Sequence, residues 1–73
     1  MSDDSVYRVI EVVGTSGTSW EDAAKTAVET AAGSLRDLRV AEVMKLDVTI
    51  DEGKIVRFRT RLNLSFKYDS SNS

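Results

Sequence analysis

The sequence predicts an α+β subunit of order β-α-β-β, with a three-stranded antiparallel-type sheet in the order 1-3-2 wrapped on one helix. Three observations predict it. Ile55 to Tyr68 alternates between apolar and polar side chains over fourteen positions, which is the period of a strand. Trp20 to Leu35 repeats apolar side chains every three or four positions, which is the period of a helix. Turn-forming residues at Thr15 to Ser19 and Asp51 to Lys54 separate the periodic segments.

Val6 to Val13 is rich in β-branched residues and ends at Gly14, so it reads as the first strand. In the turn that follows, Thr18 with Glu21 or Ser19 with Asp22 can cap the helix, a hydroxyl meeting the first free amides while an acid reaches back. The helix places Trp20, Ala24, Ala27, Val28, Ala31 and Leu35 on one face over about four turns, and Glu21, Lys25, Glu29 and Arg36 on the other. Because that apolar face is mostly alanine, the helix can lie close to a sheet while contributing little apolar area per residue.

The second strand runs from about Leu38 to Ile50. Strict alternation puts Leu38, Val40, Met44, Leu46, Val48 and Ile50 on one face, interrupted by Glu42, and Arg39, Ala41, Val43, Lys45, Asp47 and Thr49 on the other. Asp51-Glu52-Gly53-Lys54 is the hairpin turn, with glycine available for a positive φ. The third strand then shows Val56, Phe58, Leu62, Leu64, Phe66 and Tyr68 on one face and Arg57, Arg59, Arg61, Asn63, Ser65 and Lys67 on the other. Fourteen residues at about 3.3 Å each span roughly 46 Å, well beyond an ordinary strand. A right-handed crossover makes the first two strands parallel, and the hairpin partner fits between them. One sheet face packs on the helix and the other is left uncovered.

Seventy-three residues make one domain, residues 1–73, and a domain of this size is marginal on its own. The chain has no cysteine and no histidine, which removes disulfides, thiolate zinc sites and imidazole catalysis together. Self-association is the remaining means of stabilisation. A net charge of −2 argues against general affinity for nucleic acid. No stretch approaches the roughly 20 apolar residues of a membrane span, and Met1-Ser2-Asp3-Asp4-Ser5 lacks the features of a signal peptide. The expectation is a soluble cytoplasmic protein that is not an enzyme, because no nucleophile-base or paired-carboxylate arrangement stands out from the surface charge.

Four features invite a ligand, and each has a plainer reading. The loop Gly14 to Ser19 could hold a phosphate on free amides, but it lacks the P-loop and dinucleotide spacings and suits a capped turn. Trp20 could stack on a ring or fill the edge of the core. Glu42, Asp47, Asp51 and Glu52 could offer oxygen to a cation such as calcium, or be solvated or ion-paired charge. The row Arg57, Arg59, Arg61 and Lys67 could bind anionic cofactors, or pair with carboxylates across the sheet or across a subunit interface.

Tyr7-Arg8-Val9-Ile10-Glu11-Val12-Val13-Gly14-Thr15-Ser16, Trp20-Glu21-Asp22-Ala23-Ala24, Ala41-Glu42-Val43 and Leu64-Ser65-Phe66, in that order, resemble the dodecins over nearly the whole chain. The resemblance implies a homododecamer, a hollow sphere of β-α-β-β subunits that stores or protects a flavin such as FMN or riboflavin held in pairs between subunits. It places the flavin site on Val40, where such proteins usually carry a stacking tryptophan, and on Arg59, where they carry a ring-binding glutamine. Valine offers no ring and arginine only donates, so flavin binding is expected to be weak. The Thr-Ser-Trp-Glu helix start and Arg39-Val40-Ala41 are similar to a calcium-associated subgroup, whose metal ligands do not transfer position by position. The reading is a shell that binds or stores a small ligand. The alternatives are a shell with an ion-binding (calcium) or structural role, and a small partner-binding module using its open sheet edge.

Overall fold

The computed structural model describes residues 5–67, in the order β1 (Tyr7–Ser16), α1 (Trp20–Ala32), β2 (Leu38–Asp51) and β3 (Lys54–Lys67). The sheet order is β1-β3-β2, with β3 antiparallel to both neighbours, as the periodicity predicts. Tyr68, the last residue of the alternating run, lies outside the described residues.

β1 starts at Tyr7 and runs three residues past Val13, because Gly14, Thr15 and Ser16 pair with Thr60, Arg59 and Phe58. The chain turns only after Ser16, whose hydroxyl accepts the Thr18 N–H at 2.9 Å and donates to the Asp22 carboxylate at 2.7 Å. Of the two capping pairs, Ser19 with Asp22 forms: Ser19 is extended and its hydroxyl accepts the Asp22 N–H at 3.0 Å. The Asp22 side chain is spent on Ser16 instead of reaching back. At its other end the helix stops at Ala32, about one turn before Leu35, and Leu35 N–H closes that end on the Ala31 carbonyl at 2.8 Å.

The alanine face brings α1 close to the sheet. A Cβ on Gly14 would run into the Ala23 carbonyl and stand 2.8 Å from the Ala27 Cβ, so the strand needs a glycine beneath the helix. Ala23, Ala27, Leu62 and Leu64 are the buried core, ringed by Ile10, Val12, Ala24, Val28, Ala31 and Leu38. Burial of Leu62 and of Leu64 contributes about 1.5–3 kcal/mol each, which leaves a modest core for a strongly extended chain. The chain measures 57 × 20 × 16 Å. A thirteen-residue helix is about 20 Å long, so much of the β2–β3 hairpin projects beyond it.

β2 does not keep one apolar face, and this corrects the strict alternation. Asp51 pairs with Lys54 and Ile50 with Ile55, but Thr49 then pairs with Arg57, leaving Val56 as an extra residue on β3. Met44 is extra on β2 between Val43 and Lys45, and Arg39 between Leu38 and Val40. Each bulge reverses the parity of the pairing. Leu46, Val48, Val43, Ala41 and Leu38 consequently lie opposite the helix-facing residues of β3, while Val40 and Glu42 lie opposite Ser65 and Asn63 on the outer face. Glu42 therefore interrupts nothing. The hairpin turns through Glu52 at φ 50° and Gly53 at φ 77°, two left-handed residues as a type I′ turn requires. No helix among the described residues is long and apolar enough to cross a membrane.

Candidate functional site

Residues opposite each other on neighbouring strands share a face, so the register assembles the outer face directly. Arg57, Arg59 and Arg61 form its central row on β3, flanked on β2 by Thr49, Asp47 and Lys45 and, beside Arg59 and Arg61, by Thr15 and Val13 on β1. Asp47 is the hub. Its carboxylate accepts from Arg59 Nε at 2.8 Å and from Arg59 Nη2 at 3.3 Å, a two-point grip. Its backbone carbonyl accepts the Trp20 indole N–H at 3.0 Å.

That indole stands edge-on to Phe58 with ring centroids 5.2 Å apart, and the Trp20 carbonyl accepts the Thr60 hydroxyl at 2.9 Å. Trp20 is thus a peg at the edge of the core, joining the first turn of α1 to both strands of the hairpin. The hydrogen bond from Arg59, reinforced by the charges of Arg59, Arg61 and Lys45, holds the Asp47 carboxyl below its usual range. The same bond raises the Arg59 pKa. Arg61 pairs with Glu11 at 3.5 Å, so two members of the arginine row find partners across their own sheet.

Val40 lies on the same outer face, opposite Ser65, with 58% of its surface exposed. Arg59 is six residues away along β3, about 20 Å at strand spacing. One chain therefore does not bring Val40 and Arg59 together, and only two copies could. The residues present do not fit a stacked flavin: Val40 presents methyl groups where a ring is needed, and the Arg59 fork is engaged by Asp47. Nor does one chain build a cation cage, since among the described residues no three carboxylates gather closely enough to hold a metal ion. Asp47 is ion-paired, and Glu42 is exposed.

In the loop after β1, the hydroxyls of Ser16 and Ser19 already engage the Thr18 and Asp22 amides, which is the arrangement of a capped turn. Sequence reasoning missed the Asp47–Arg59 and Trp20–Asp47 links. Their signal is the register, which depends on the bulge at Val56.

These features define a class of protein, a one-helix, three-strand fold with an open sheet face and a protruding hairpin. The chain belongs to the dodecin family: the family model described as Dodecin matches residues 6–69. The chain is 48% identical over 63 residues to the calcium dodecin of Mycobacterium tuberculosis, covering 86% of this chain and 89% of that protein. A crystal structure of that organism's calcium dodecin, described as a calcium-chelating immunodominant antigen with a novel calcium-binding site, superposes with a TM-score of 0.79 at 50% identity over 92% of this chain and 96% of that one. The dodecin of Streptomyces coelicolor superposes with a TM-score of 0.88 at 33% identity, over 94% of this chain and 99% of that one.

Proposed function

We propose that this protein is a non-enzymatic subunit of a self-assembled hollow shell of twelve copies that binds or stores a small ligand, with only weak affinity for flavin. The observation that carries the reading is the mismatch between core and surface. Among the described residues four apolar side chains are buried, whereas Val6, Val9, Val40, Met44, Leu46, Ile50, Ile55 and Val56 are each 46–65% exposed. Apolar surface on that scale marks an interaction face. A groove of about 440 Å³ between α1 and β1, lined by Ile10, Val12, Ala27 and Ala31 among others, adds to it. Covering these surfaces with further copies supplies the burial that one chain lacks. Native mass spectrometry of freshly purified protein tests the reading, because it reports subunit number and retained ligand together. A mass of twelve subunits is expected, and a monomer at micromolar concentration rejects the shell.

A second reading, a calcium-binding shell, is favoured by the 48% identity to a calcium dodecin. With no cluster of carboxylates in the described chain, the oxygen ligands would converge from more than one copy. Calcium would then bind the assembly and protect it against dissociation. Melting curves with calcium and with chelator that coincide would reject this reading.

A further inference from the structure

We propose that the apolar tip of the β2–β3 hairpin of one copy seats in the groove between α1 and β1 of a second copy. The last pairing of β1 is Ser16 with Phe58, and past it the sheet continues with β2 and β3 alone. A hairpin of two strands is marginally stable in water by itself. Gly53, at its turn, lies five residues beyond Phe58, about 16 Å further along the strand. Ile50 and Ile55 stand opposite each other there, 65% and 56% exposed, and Val56 beside them is 49% exposed. On this stretch the apolar side of the sheet has no helix of its own chain to cover it.

The groove suits such an occupant chemically. Its volume is about 440 Å³, its floor includes Ile10, Val12, Ala27 and Ala31, Thr26 and Thr30 line its helix side, and none of its lining residues is ionisable. A charged group entering it would lose water and meet no counter-charge. Ile50, Ile55 and Val56 are uncharged and β-branched, so their χ1 angles are largely fixed before docking, and the turn through Glu52 and Gly53 already presents them. Little freedom is then lost on binding. The same chain's hairpin does not reach this groove, because the tip lies beyond the Ser16 end of β1 while the groove runs along Ile10 to Thr15. Residues 1–4 and 68–73 offer only Met1 and Tyr68 among polar side chains, a poor match for an apolar floor. The area fits a second copy: the chain exposes 5552 Å², about 1,000 Å² more than a compact monomer of its size, and a stable interface takes about 800 Å² from each partner.

Tip and groove are different patches, so the contact is head-to-tail: each copy gives its tip to one neighbour and takes a tip from another, and rotation closes the series into a ring. This contact rests on the shell reading proposed above for the closed assembly, while the contact itself requires only two copies. Native mass spectrometry of the full-length protein tests it with two double variants. Ile50→Glu with Ile55→Lys sets opposite charges across the tip, which keeps the hairpin register and the net charge. Thr26→Arg with Thr30→Arg fills the groove from exposed helix positions that arginine suits. Each variant alone should lose the assembled mass with circular dichroism unchanged. Mixed at high concentration, the two should form a pair, because the first keeps an intact groove and the second an intact tip. A variant that assembles like the unmodified protein rejects this contact and leaves the shell standing. Variants that both dissociate and form no mixed pair also reject it, by assigning tip and groove to separate partners. A small ring lost in both variants retains the contact and rejects the shell of twelve, and a monomeric unmodified protein rejects both. A small molecule retained by the unmodified protein and expelled by the groove variant, with the assembly intact, overturns the second copy as occupant.

Discussion

Trp20 donates its indole N–H to the backbone carbonyl of Asp47 at 3.0 Å, so the first turn of α1 is pinned to the hairpin where the hairpin leaves the helix. The Asp47 side chain holds Arg59 on the adjacent strand. One residue thereby joins helix, β2 and β3, and Trp20, the only tryptophan in the chain, reports on the junction.

Acid should loosen this junction before the rest of the fold. The folded-state pKa of Asp47 is depressed, chiefly by the Arg59 hydrogen bond. Its contribution is therefore complete above the unfolded carboxylate value of about 3.9 and is lost as pH falls through the lower folded value. Tryptophan emission should shift to the red below about pH 4. In Asp47→Asn that acid step should vanish; an unchanged step would assign it to another carboxylate.

Gly14→Ala should destabilise the subunit by about 1–3 kcal/mol, because its methyl group meets the Ala23 carbonyl and the Ala27 side chain. Neither obstacle is the flexible end of a side chain, so α1 itself must move. Gly17→Ala, where the added methyl meets nothing within 4 Å, should be near neutral. Urea denaturation of the two variants measures the contrast, and equal midpoints would show that the helix retreats without cost.

Assembly should weaken moderately with salt. Arg59 and Arg61 are partnered within the sheet, so on the shell reading proposed above Arg57 and Lys67 are the members of the row available to carboxylates of neighbouring copies. Charges in such partly exposed positions are screened over about 8–10 Å at ordinary ionic strength. The dissociation midpoint in denaturant should fall between low and high salt, and a constant midpoint would place both residues in open solvent.

Riboflavin should bind weakly to the unmodified protein and more than about tenfold better to Val40→Trp with Arg59→Gln. An indole at position 40 provides a flat stacking surface worth roughly 1–3 kcal/mol, and tenfold requires about 1.4. Since the two positions are far apart on one chain, the gain should appear only in samples that have assembled. Quenching of riboflavin fluorescence provides the measurement. Tight binding by the unmodified protein would mean that neither residue limits the site.

Element order, sheet order and the hairpin glycine were legible because each follows from local periodicity or turn chemistry. The faces of β2 were not. A two-residue turn that pairs Asp51 with Lys54 would, if pairing continued unbroken, set Asp47 opposite Phe58 and the polar side of one strand against the apolar side of the other. The extra residue at Val56 resolves that conflict and delivers Asp47 to Arg59. The conflict was present in the sequence, but the location of the bulge was not, because several sites near the turn would have served. Val40 illustrates the same gap: strict alternation groups it with Leu38 and Leu46, while the bulges at Arg39 and Met44 turn it outward.

β2 is an edge strand of fourteen residues, long enough to serve as a template on which another chain could grow a ribbon. Met44 lies in its middle as an extra residue, so the halves on either side present their unpaired amides and carbonyls out of step. A strand docking along one half would lose its match on reaching the other. An isolated chain is thereby shielded from endless edge-to-edge growth along this strand.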